Sequence, residues 1–164
     1  MTRTVTATFE TSEKLAKALI KLKAIGVTEA QIGVVMSNET HGRSFNLETH
    51  NRVDEGLAAG ATFGGIIGGI LSALAGAGTL TIPGLNLVVT GAVVSGLAGA
   101  GIGAGAGGLV GGLVGLGVPE HEAKLYEVKL NDGHILLAVE VHDHWHAAEV
   151  HNVLKNMEAY NIAA

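Results

Sequence analysis

The chain has no cysteine, which excludes disulfides, thiolate metal sites and a cysteine nucleophile. Aromatic side chains are scarce too, with three Phe, two Tyr and one Trp in 164 residues, too few to form a platform for stacked bases. Positive charge is thin. Residues 1 to 55 carry seven basic and seven acidic groups, and residues 120 to 164 carry three against eight, so no basic field exists to hold nucleic acid. No apolar run of signal-peptide length follows the N-terminus, which makes a cytoplasmic start the default expectation. The most consequential absence is local: 64 consecutive residues, Gly56 to Pro119, contain no Asp, Glu, Lys, Arg or His.

What fills that block is glycine in a pattern. Gly56, Gly60, Gly64 and Gly68 recur every four residues, as do Gly99, Gly103, Gly107, Gly111 and Gly115. Four-residue spacing places each set on one face of a helix and lets neighbouring backbones approach closely. The expectation is a helical hairpin over residues 57–78 and 88–116, with Pro83 and Gly84 as the reversing turn. Glycine inside a water-exposed helix costs about 1 kcal/mol against alanine, so something must compensate for so many. A bilayer does so by enforcing backbone hydrogen bonding, and 22 residues reach about 33 Å, enough for a hydrocarbon core of about 30 Å. Burial inside a homo-oligomer in the cytoplasm satisfies the same pattern. A transmembrane, membrane-associated hairpin and an oligomer-buried one are therefore both expectations of the sequence.

The flanking segments read as a small α/β unit. Thr4, Thr6 and Thr8 alternate with Val5, Ala7 and Phe9, the two-residue period of a half-buried strand over residues 3–9. Ser12 as N-cap, then Leu15, Ala18, Leu19, Leu22 and Ile25, predict an amphipathic helix closed by Gly26. Residues 32–36 read as a second strand after a polar turn at Thr28 to Gln31, and residues 38–52 as a loop. Beyond the block, Pro119, Glu120 and Glu122 open a helix that ends at Asn131 to Gly133. His134 to His142 is the strongest strand, apolar on both faces and therefore central. Asp143 caps a last helix running to Glu158. The fold class expected is α+β: a small ferredoxin-like α/β sandwich, residues 1–53 with 118–164, interrupted by the glycine-zipper hairpin at residues 54–117. Only three strands are counted, so a fourth is missing or comes from a neighbouring chain.

Three passages resemble the bacterial heat-induced or general stress proteins of the YflT type. They are Thr4 to Glu10 with its helix and the Ile25, Gly26, Val27 run; Ile82 to Leu85; and Gly117 to Glu127 with Gly133 to Val139. Together they span nearly the whole chain, although Asn86 stands where relatives carry a second Gly-Pro. The resemblance implies a stress-associated accessory protein, membrane-associated or assembling, rather than an enzyme. It supplies no catalytic motif.

Chemistry-bearing residues are few. Gly103 to Gly108 spells a dinucleotide fingerprint, but without the preceding strand and the acidic residue about 20 positions on that give those letters meaning. No nucleophile elbow is present, and Glu120, Glu122, Glu127 and Glu140 show no spacing that assigns acid and base roles. Trp145 is expected to pack under the sheet or at an interface. Six of the eight histidines follow the block, and His142, His144, His146 and His151 gather at a strand-to-helix junction. Imidazoles suit a transition metal, yet His144 and His151 are separated by about 10 Å of helix rise, and the spacing fits no zinc template. The cluster could also sense pH, since protonating all eight histidines takes the formal charge from −5 towards +3.

The functional expectation is a non-enzymatic protein with no catalytic, cofactor or metal site. It self-associates through its glycine stripes and has membrane lipid or other apolar molecules as partners. Its alternatives are an oligomeric carrier enclosing apolar ligands such as lipid or quinone, and a metal or redox accessory using the histidine cluster.

Overall fold

A computed structural model describes residues 3–37, 39–40, 79–82, 87–91, 108–115, 117–142 and 144–163. The elements in chain order are β1 (Arg3–Phe9), α1 (Ser12–Ala24), a 3-10 turn (Glu29–Gln31), β2 (Ile32–Ser37), β3 (Thr79–Ile82) and β4 (Leu87–Gly91). Then follow α2 (Gly108–Gly115), α3 (Glu120–Asn131), β5 (Ile135–Val141), α4 (His144–Asn156) and β6 (Tyr160–Ala163). The fold is α+β. Its strands form one antiparallel sheet in the order β3-β4-β2-β5-β1-β6.

Burial of β5 on both faces sets the layers. Ile135, Leu137, Val139 and Val141 join Val5, Ala7, Phe9, Ile32, Val34 and Met36 beneath α1 and α4. Leu136 and Ala138 join Val35, Val89, Leu109, Leu113, Tyr126 and Leu130 on the opposite face, where α2 and α3 pack together. β1 runs antiparallel to β5 from Arg3↔Val141 to Phe9↔Ile135, and β2 lies on its other side from Ile32↔Val139 to Val35↔Leu136.

α1, α2, α3 and α4 stop in the same way. After α1, the N–H groups of Gly26 and Val27 return to the carbonyls of Lys23 and Leu22, at 3.1 and 3.0 Å, with Gly26 at φ +94°. This double bond satisfies carbonyls that the helix leaves unpaired, and buried Val27 joins Leu22 in the core beneath α1. Gly117 and Gly133 close α2 and α3 by the same pair of bonds, and Glu158, at φ 57°, closes α4. Glu158 is further tied to the start of α1 by Lys14 Nζ at 2.9 Å, an ammonium that holds its carboxyl below the usual range.

Several expectations are corrected. The transmembrane reading fails: among the described residues no helix is long and apolar enough to cross a membrane. The physical reason lies in β4. Residues 88–91 were expected to open the second long helix, yet with Leu87 they pair with β2 from Gly33↔Gly91 to Ser37↔Leu87. Residues adjoining a tip on the far side of a hydrocarbon core about 30 Å thick could not hydrogen-bond to a strand of the domain on the near side. Of the expected hairpin, only residues 108–115 are described as helical; residues 57–78, 83–86, 92–107 and 116 lie outside the described residues. A strand beyond the three counted, expected to be missing or to come from a neighbouring chain, is β6, which pairs with the edge of β1. Thr11 caps α1 in place of Ser12, its hydroxyl accepting from Lys14 N–H at 3.3 Å. Trp145 is 88% exposed and packs under nothing in the sheet.

Thr6 and Thr8, expected on a wet face, are fully buried. Tyr126 of α3 reaches Thr6, its phenol O–H donating to the Asn161 carbonyl at 2.5 Å and accepting from Thr6 Oγ1 at 2.9 Å. Thr8 Oγ1 donates to the Tyr160 carbonyl at 3.2 Å. These side-chain bonds hold β6, whose ladder with β1 shifts register between Thr6 and Thr8. Tyr126→Phe leaves the Asn161 carbonyl without this donor and should cost about 1–3 kcal/mol in urea unfolding.

Burial also pushes the Tyr126 phenol from its ordinary value of 10.0 up to about 12. The folded state thus favours neutral phenol, so this contribution is complete below pH 10 and falls as pH rises towards 12. Alkaline unfolding curves should show that decline in the parent protein and lack it in Tyr126→Phe.

Candidate functional site

The candidate site lies where the corner after α1 meets the C-terminal end of β5. A pocket of about 200 Å³ is lined there by Gly26, Val27, Gln31, Val141, His142 and His146. Each wall has a local cause. Gly26 and Val27 are the closing residues of α1, Val141 and His142 stand where β5 runs out, and His146 lies in the first turn of α4.

Gln31 binds this corner to the sheet. Its Nε2 donates to the Glu140 carbonyl at 3.0 Å, while its Oε1 accepts from Thr28 N–H and Thr28 Oγ1, both at 3.0 Å. The same corner is closed from outside by Lys23 Nζ on Glu29 Oε1 at 2.6 Å. The wall is therefore stiff, and its amide is already committed. His142 and His146 are both exposed, so water and solutes reach the rings.

The structure divides the expected histidine cluster. It brings His142 and His146 to one pocket and leaves His151, half-buried, further along α4. His144 opens α4, and Asp143, expected as its cap, lies outside the described residues. Among the described residues no group of three or more His, Asp or Glu side chains converges as a metal centre would require.

Of the expected packing glycines, Gly111 and Gly115 lie on α2, and a Cβ added at Gly111 would meet nothing within 4 Å. Gly56, Gly60, Gly64, Gly68, Gly99, Gly103 and Gly107 lie outside the described residues, as do Pro83 and Gly84 of the expected turn. The helices on this side keep apolar side chains in water: Val114 on α2 is 42% exposed, and Leu125 and Val128 on α3 are 47% and 57% exposed. Glu122, one turn before Tyr126, has a buried Oε2 with no hydrogen-bond partner.

Sequence reasoning missed Gln31. The signal was present, because Thr28 followed three residues later by Gln31 is the spacing of a capping box. Tyr126 gave no comparable signal.

No protein-family model matches the chain, and neither the curated proteins nor the solved structures contain a match to it.

Replacing Gln31 by alanine removes the amide that joins the corner to β5. The expected outcome is a loss of about 1–2 kcal/mol in stability, with faster hydrogen exchange at the Thr28 amide than at amides of β1.

Proposed function

We propose that this chain is a non-enzymatic, self-associating scaffold or carrier, in which copies bury their uncharged blocks against one another and enclose apolar ligands such as lipid or quinone. The observation that carries this reading is how far the block is built into the α+β fold. β3 and β4 extend the sheet beyond β2, and α2 buries Leu109 and Leu113 on its face. Each fully buried leucine is worth about 1.5–3 kcal/mol, so that end of the block is anchored to the domain. Next to these anchors lie exposed Val114, Leu125 and Val128, apolar surface suited to a further partner.

The order β2-β5-β1-β6, with α1 and α4 on one face, supports a ferredoxin-like reading in which the block enters between the second and third strands of the motif. The association with stress rests on the resemblance to the YflT type alone.

Gly111 gives a discriminating test. The space around it admits a side chain, so Gly111→Ala should stabilise the single chain by up to about 1 kcal/mol through helix propensity. If a second copy approaches this stripe, Gly111→Leu should lower the native mass of detergent-free protein and release any co-purified lipophilic molecule. An unchanged mass in Gly111→Leu removes the stripe from assembly, and a monomeric parent protein removes the proposal.

A further inference from the structure

We infer that β6 is exchanged between copies of this chain, the Tyr160–Ala163 strand of one copy pairing with the β1 edge of a second copy in place of that copy's own strand. The corner that leads into β6 differs from the other three. Gly26, Gly117 and Gly133 take the left-handed turn after α1, α2 and α3 at φ 94°, 91° and 90°, a conformation that glycine adopts freely. After α4 the same position is Glu158, at φ 57°, where a side chain carries a steric cost. The bonds that close the corner are also longest there: 3.3 and 3.2 Å from the N–H groups of Glu158 and Ala159, against 2.9 to 3.1 Å at the three glycine corners. Buried Val27 and Val118 anchor the corners after α1 and α2, whereas Ala159 is small and half-buried.

The strand beyond that corner is lightly held. Tyr160 and Asn161 are exposed, and the ladder with β1 consists of Thr6↔Ala163 and Thr8↔Tyr160 with a register shift between them. Asn161, at φ 50°, interrupts the extended backbone. The Lys14–Glu158 ion pair lies in water, where such a pair adds little. What specifies β6 is the donation from Tyr126 to the Asn161 carbonyl and from Thr8 to the Tyr160 carbonyl. A second copy's β6 offers the same carbonyls to the same donors, so exchange keeps the contacts of the strand and changes only the corner. Glu158 then leaves its left-handed conformation. A short connection under strain favours this outcome, and Met157, Glu158 and Ala159 are the whole connection between α4 and β6. Fully extended, they reach about 10 Å, so the second copy's β1 must lie beside the end of α4, with the two corners meeting across a two-fold axis. The exchange is separate from burial of the uncharged blocks, because none of its residues belongs to them.

The test exploits the absence of cysteine. Thr8 stands opposite Tyr160 and is fully buried, so a thiol on another chain reaches position 8 only by taking the place of the resident strand. Full-length Thr8→Cys and Tyr160→Cys chains are prepared separately, unfolded, refolded as a mixture and oxidised. A mixed disulfide joining one chain of each kind is expected, in clear excess over a control in which Asn152→Cys, exposed on α4, replaces Tyr160→Cys. Adding Glu158→Gly to both chains relieves the corner and should lower the yield of the mixed disulfide about fivefold or more. Lys14→Ala removes the ion pair and leaves the turn, so it should not lower the yield. Circular dichroism checks that each variant folds; should Thr8→Cys fail, Thr6→Cys with Ala163→Cys reads the other ladder pair. A mixed disulfide that persists in Gly111→Leu supports the exchange whatever becomes of assembly through the uncharged blocks. The exchange is overturned if the yield does not exceed the control, or if Glu158→Gly leaves it unchanged.

Discussion

β5 has no face to give to water, and the rest of the molecule is arranged around that constraint. Six of its seven residues, all but Glu140, alternate between two apolar layers, and its backbone is bonded on one side to β1 and on the other to β2. A sheet with a core on each face needs a cover on each face. The chain's two ends provide one cover, α1 and α4. The other is α2 with α3, and α2 comes from within the uncharged block. A segment with no charge for 64 residues therefore contributes to the domain through its tail and its two middle strands.

The second layer is not uniformly apolar, and its polar atoms show how a polar group is tolerated there. Across the sheet, Gly91, Gly33, Ala138 and Thr6 form a row of small residues in register. Tyr126 shares a cluster with Ala138 and reaches Thr6 and the Asn161 carbonyl with its hydroxyl. A buried hydroxyl without partners costs more than a satisfied one contributes, so Thr6 and Asn161 have to be where they are for tyrosine to be tolerated. In exchange the phenol links three elements: α3, β1 and the irregular edge strand β6.

The strands and helices at the two ends were legible because their periods are clean. β1 begins and ends where alternation predicts, β5 is central as its two apolar faces require, and Gly26 and Gly133 stop helices as read. The failures have a common cause. Leu87 to Gly91 is apolar without alternation, and a short apolar run is helical or extended according to what it packs against. Here β2 offered a free edge, and the pairing outweighed the helical spacing of the glycines downstream. β6 was illegible because Asn161, at φ 50°, breaks the alternation within four residues. The burial of Thr6 and Thr8 depends on a tyrosine 120 positions away from Thr6, and no local pattern reports it.

The histidine cluster shows the same dependence from the side of function. Along the sequence, His142, His144, His146 and His151 form one group, and distance along the helix argues against their cooperation. The fold selects differently. A bond between residues 109 apart, Gln31 to Glu140, fixes the α1 corner against the end of β5 and makes a wall facing two of the four rings. Groups already committed to holding that wall together are not available to a ligand. Gln31 is a polar residue in a pocket, yet its hydrogen bonds are directed into the protein.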